Sequence, residues 1–125
     1  MSFKFQFMKD NPDVAKRKSE CDQIREQYPD KIPVICEKDP KCKDLDEIEK
    51  TKFLVSNQFT VTQFNLLVRK RVGALDETCS LFLLANAQFN LTGDLIMSEV
   101  YEKYKNKEDG FLYIVYTSKE FFGSK

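Results

Sequence analysis

An α+β domain with helices packed on a mixed sheet is predicted by three observations. Thr60, with Gln63 three residues later, forms a capping box ahead of Val61, Phe64, Leu67 and Val68, which fall on one face of a helix ending near Gly73. Two uninterrupted apolar runs, Ser80 to Ala85 and Phe111 to Tyr116, have the length and character of buried strands. The elements follow one another as helix, strand, strand, helix, strand, helix, strand, which suits a sheet covered by helices.

Each element has its own local cause. Asn11 is read as an N-cap with Pro12 at the first helical position and Asp13 near the positive end of the dipole; the helix runs to about Tyr28, where Pro29 stops it. Val14, Cys21, Ile24 and Tyr28 form its narrow apolar stripe, leaving Lys16, Arg17, Lys18, Glu20, Arg25 and Glu26 largely solvated. Lys31 to Lys38 alternates as a strand, its early Pro33 suiting a strand start or an edge. Asp39, Pro40 and Lys41 open a turn-rich connection to a short second strand at Phe53, Leu54 and Val55, the hairpin partner of the first. After the capped helix and the Ser80 to Ala85 run, Thr92 to Lys105 resumes helical spacing with Ile96, Val100, Tyr101 and Tyr104 on one side. Asp109-Gly110 supplies the turn into the last strand, and the polar stretch from Thr117 to Lys125 reads as an exposed tail. A hairpin, a helix across the sheet and two further strands is the β-grasp order, with a four-stranded mixed sheet; periodicity alone also permits other α+β sandwiches.

Composition narrows the function. With 125 residues the chain fits one domain: an N-terminal helical segment over 1–28, a core over 29–117 and a C-terminal tail over 118–125. Twenty basic and twenty acidic side chains cancel, so no global field favours nucleic acid or an anionic membrane. Lys16-Arg17-Lys18 and Arg69-Lys70-Arg71 offer three charges each to phosphates or an acidic tubulin tail, but without interleaved aromatics they read as solvated helix faces. No apolar stretch reaches membrane-spanning length, and Met1 to Phe7 alternates Phe with polar residues rather than building a signal, so a cytosolic chain is expected. Phe3, Phe5 and Phe7 offer an apolar face to a membrane or a self-association surface, but folding back on the core is the use expected.

Cys21, Cys36, Cys42 and Cys79 have no C-x-x-C spacing, and the chain has no histidine, so neither the common zinc sets nor the usual general base of hydrolases is present. The thiols read as reduced and mostly buried. Neither an enzyme, a metal nor a cofactor is expected.

Several segments carry a family resemblance. Lys16-Arg17-Lys18, Ile32-Pro33-Val34-Ile35-Cys36-Glu37-Lys38, Lys52-Phe53-Leu54-Val55, Val68-Arg69-Lys70-Arg71 and Asp109-Gly110-Phe111-Leu112-Tyr113 resemble the autophagy ubiquitin-like modifiers, the family of the microtubule-associated light chains and the GABA-receptor-associated proteins. The likeness runs from about residue 12 to residue 123. It implies a ubiquitin-like β-grasp with two additional N-terminal helices. It also implies a processing cysteine protease that cuts between Gly123 and Ser124, and activating and conjugating enzymes that join the Gly123 carboxyl to phosphatidylethanolamine. The chain would then be cytoplasmic until lipidated and autophagosomal afterwards. Glycine suits that role because, lacking a Cβ, it can thread a narrow channel and leave its carbonyl open to attack.

The resemblance further implies binding of receptors and cargo adaptors that carry short aromatic-x-x-aliphatic motifs. An extended motif would pair beside Lys52 to Val55. The aromatic pocket it implies is lined by Glu20, Ile24, Pro33, Ile35, Lys52, Leu54 and Phe111, and the aliphatic pocket by Phe53, Val55, Phe59, Phe64, Leu67 and the stem of Arg71. Lys31, Lys50, Lys52 and Arg71 lie within reach of acidic residues flanking such a motif. Ser56 stands where the family often has proline. The alternative expectation is an unconjugated peptide-binding adaptor that links vesicles or receptors to the cytoskeleton.

Overall fold

A computed structural model describes residues 4–73 and 79–118. The elements are α1 (Gln6–Asp10), α2 (Val14–Gln27), β1 (Lys31–Lys38), β2 (Lys52–Ser56), α3 (Val61–Val72), β3 (Leu81–Ala85), β4 (Phe89–Asn90), α4 (Met97–Tyr104) and β5 (Leu112–Ser118). The strands form one five-stranded sheet in the order β2-β1-β5-β3-β4, with β1 and β5 parallel at its centre and the other pairs antiparallel.

Strand alternation builds a core on each face. Ile32, Val34 and Cys36 of β1, Phe53 and Val55 of β2, and Leu112, Ile114 and Tyr116 of β5 meet Val61, Phe64, Val68 and Val72 of α3 in the larger cluster. Met97, Val100 and Tyr101 of α4 join it. The intervening residues Ile35, Tyr113 and Val115, with Phe111, face Phe5 and Cys21 in a second cluster, against which Phe7 and Ile24 pack. The capping box forms: Thr60 N–H donates to Gln63 Oε1 at 2.8 Å, and Gln63 N–H to Thr60 Oγ1 at 3.2 Å. The long connection between β1 and β2 is not idle, since Cys42, Leu45 and Ile48 are buried in the larger core.

Several sequence expectations are corrected. The sheet has five strands rather than four, because Asn86 and Ala87 adopt positive φ (54° and 59°) and fold Phe89–Asn90 back on β3. Both residues of β4 are exposed, so no alternation marks them. The N-cap of α2 is Asp13, not Asn11; its carboxylate accepts from Ala15 N–H at 2.9 Å and Lys16 N–H at 3.4 Å. Val14 and Tyr28 are exposed rather than part of a buried stripe.

Residues 92–96 are not helical. Their backbone instead meets the start of α3, with Val61 N–H donating to Leu95, Thr62 N–H to Gly93, and a bridge between Thr60 and Ile96. Met97, not Ile96, is then the buried residue at the head of α4. At the other end, Thr117 and Ser118 are buried in β5, where they pair with Phe82 and Leu81, so the strand outlasts the expected start of the tail.

Arg17 is also corrected. It is not part of a solvated basic face but 5% exposed, with Nε donating to Asp109 Oδ2 at 2.8 Å and Nη1 to the Asn11 carbonyl at 2.7 Å. Asp109 further accepts from Tyr113 Oη at 2.6 Å and Phe111 N–H at 2.9 Å. Burial works against the Arg17 charge, but the hydrogen bond and proximity to Asp109 outweigh it and hold the guanidinium pKa above its usual value. Burial, then the bond to the Asp109 carboxylate, pushes the Tyr113 phenol upward.

Candidate peptide-binding edge

Strand β2 ends the sheet, and its register determines what it offers. Cys36 N–H donates to the Thr51 carbonyl at 2.8 Å, which makes Cys36 and Thr51 a hydrogen-bonded pair in register with the β1–β2 ladder. Such pairs alternate along an antiparallel ladder, so Val34–Phe53 and Ile32–Val55 are the next two. The N–H and C=O groups of Lys52, Leu54 and Ser56 therefore point away from β1. Two of these carbonyls already have acceptor roles: Ser56 receives Phe59 N–H at 3.1 Å, and Lys52 receives Arg71 Nη1 at 3.2 Å. Leu54, 43% exposed, lies at the middle of the open edge. The same parity explains Pro33 in a central strand. Its missing N–H faces β5, where pairing starts only at Val34.

The two sets of predicted pocket residues fall on opposite faces of this edge. On the α2 face, Leu54 sits across from Pro33 and Lys52 across from Ile35. Ile35 and Phe111 are fully buried and form a floor, Ile24 is half-buried beside them, and Lys52 and Glu20 make an ion pair at the rim. On the α3 face, Phe53, Val55 and Phe64 are buried, Phe59 and Leu67 are half-buried, and Arg71 is exposed. The Arg71 guanidinium lies 3.8 Å from the Phe53 ring centroid and donates to the Lys50 carbonyl at 2.7 Å, so it covers this side of the strand. Gly123 and Ser124 lie outside the described residues.

Phe7 packs back on the core cluster of the α2 face, where its ring meets Phe111 and approaches Lys52. The alternation of Phe3, Phe5 and Phe7 signals an amphipathic segment but not the place where it docks.

Burial pushes Cys21 up to about 11 and drives Cys36 well above the ordinary thiol range. Cys21, Cys36 and Cys42 are buried, and Cys79 is partly exposed. Iodoacetamide at pH 8 should therefore modify native protein at Cys79 first, the other three reacting only on denaturation, as peptide mass mapping would read. Equal labelling of Cys36 in the native protein would contradict its burial. No helix among the described residues is long and apolar enough to cross a membrane.

The mixed sheet, its α3 crossing and its open β2 edge define a protein of the ubiquitin-like class. The family model for "Autophagy protein Atg8 ubiquitin like" matches residues 16–123. Autophagy-related protein 8 of Schizosaccharomyces pombe is 45% identical over 116 residues, covering 93% of each chain. Autophagy-related protein 8e of Arabidopsis thaliana is 46% identical over 118 residues, covering 94% of this chain and 93% of its own. The crystal structure of Trypanosoma brucei ATG8 superimposes with a TM-score of 0.78 at 38% identity, covering 86% of this chain and 89% of that one. The chain belongs to the Atg8 family of ubiquitin-like autophagy proteins.

Proposed function

We propose that this chain is a conjugated autophagy modifier: the substrate of a processing protease and of activating and conjugating enzymes, not itself an enzyme. In this reading Ser124 and Lys125 are removed, the Gly123 carboxyl is joined to phosphatidylethanolamine, and the cytoplasmic protein becomes resident on autophagosomal membranes. There it recruits receptors and cargo adaptors with aromatic-x-x-aliphatic motifs.

The observation that carries the recruiting half is the open edge of β2 with a separate apolar cluster on each face. An added strand would pair with the outward N–H and C=O of Leu54. Side chains of a strand alternate between faces, so residues three apart point to opposite sides. A motif with two spacers thus sends its aromatic side chain toward Ile24, Ile35, Leu54 and Phe111, and its aliphatic one toward Phe53, Val55, Phe59 and Leu67. Motifs with one or three spacers would put both anchors on one face and are expected to bind poorly. Lys31, Lys50, Lys52 and Arg71 would favour acidic flanks, a contribution that weakens as salt rises.

Two measurements test the two halves. Purified protein mixed with the family's protease, its activating and conjugating enzymes and vesicles containing phosphatidylethanolamine should yield a Gly123 lipid adduct by mass spectrometry, and Gly123→Ala should yield none. Equal lipidation of Gly123→Ala would remove Gly123 as the site. Leu54→Ala should weaken an aromatic-x-x-aliphatic peptide by about 1–3 kcal/mol in calorimetric titration. Unchanged affinity in the folded variant would locate binding elsewhere.

A further inference from the structure

The aromatic side of the β2 edge already holds a ring. Phe7 meets Phe111 edge-on, with centroids 5.2 Å apart and planes at 70°, inside the separation at which aromatic pairs attract. The Lys52 ammonium lies 5.4 Å from the Phe7 centroid, within cation–π reach. Phe111 is the fully buried floor of this side and Lys52 its charged rim, tied in place by Glu20. An incoming aromatic side chain would seek these same two contacts, and Phe7 makes both.

We infer that Phe7 is the resting occupant of the aromatic subsite and that a motif entering the subsite must displace α1. This inference rests on the reading of β2 as a peptide-binding edge. The segment that carries Phe7 is suited to release. Helix α1 has five residues and buries none of them, and a helix so short has little stability of its own. Glu37 holds its first turn, accepting from Gln6 N–H at 2.8 Å and Phe7 N–H at 2.9 Å. An open pocket of about 300 Å³ lies beside α1, lined in part by Gln6, Phe7, Asp10 and Ile48.

Phe5, by contrast, is 4% exposed and its ring lies 5.0 Å from Tyr113. It anchors the chain just before α1, so Phe7 can swing out while the segment stays attached. The apparent affinity for a motif is then the intrinsic affinity reduced by the fraction of molecules with Phe7 out. Anything that loosens α1 strengthens binding without touching the peptide.

The test compares wild type, Phe7→Ser and Glu37→Gln by calorimetric titration with one synthetic peptide carrying Trp-x-x-Leu. Phe7→Ser should bind roughly tenfold more tightly, and Glu37→Gln should shift the same way by roughly threefold, as expected when the competent fraction rises. In wild type, saturating peptide should speed hydrogen exchange at the Phe7 amide, now bonded to Glu37. Equal or weaker binding by the variants, or a Phe7 amide unmoved by bound peptide, would overturn the inference and make Phe7 a fixed wall of the subsite. Should Phe7→Ser fail to fold, Glu37→Gln and the wild-type exchange decide the matter. If no form binds the peptide, the edge reading itself has failed and this inference falls with it; binding that Leu54→Ala weakens but Phe7→Ser does not strengthen refutes only the displacement of Phe7.

Discussion

Asp109→Ala should lower the free energy of unfolding by about 3–5 kcal/mol, the range for removing one partner of a buried ion pair. Asp109 is 1% exposed and accepts from Arg17, Tyr113 and the Phe111 backbone. Its loss leaves the Arg17 guanidinium buried without its carboxylate and the Tyr113 hydroxyl without its acceptor. Three pieces of chain are loosened together: α2 through Arg17, the turn before β5, and the α1–α2 connection through the Arg17 bond to Asn11. Guanidinium denaturation followed by circular dichroism reads the change. A loss below about 1 kcal/mol would mean that the pair contributes no more than an exposed one does.

A loss of about 3–5 kcal/mol is also expected from Phe64→Ala, by the rule for large-to-small changes at a fully buried aromatic. Phe64 has no exposed surface, and its ring stands edge-on to Phe53 at 5.2 Å and 79°. It therefore supports the α3 face of β2 from beneath. Placed on the apolar face of α3 and, by resemblance, in the aliphatic pocket, Phe64 lies in the larger buried cluster. A small effect on denaturation would return it to an accessible wall.

Much of the fold is written in local sequence signals. Helix α3 was legible because Thr60 and Gln63 cap it locally, and β5 because its apolar run needs no distant partner to be recognised as a strand. Phe53 and Val55 alternate with Leu54 along β2, and the structure puts those side chains on opposite faces with separate clusters behind them. What escaped depended on residues far apart in sequence. Arg17 looks like one charge among three until Asp109, 92 residues away, is brought beside it. The segment 92–96 has helical spacing but spends its backbone bonds on the start of α3. Strand β4 consists of two exposed residues set by a left-handed turn at Asn86 and Ala87, neither of which is the glycine that normally announces one. Phe7 carried a visible apolar signal, but its docking place beside Phe111 and Lys52 depends on Glu37 holding α1.

Hydrogen exchange at the Leu54 amide, with and without a saturating aromatic-x-x-aliphatic peptide, tests the use of the β2 edge most directly. The register turns that N–H away from β1, so strand addition should slow its exchange at least tenfold while the inward Phe53 and Val55 amides change little. A bound peptide that leaves Leu54 exchange untouched, and protects amides on another face, would contradict the account.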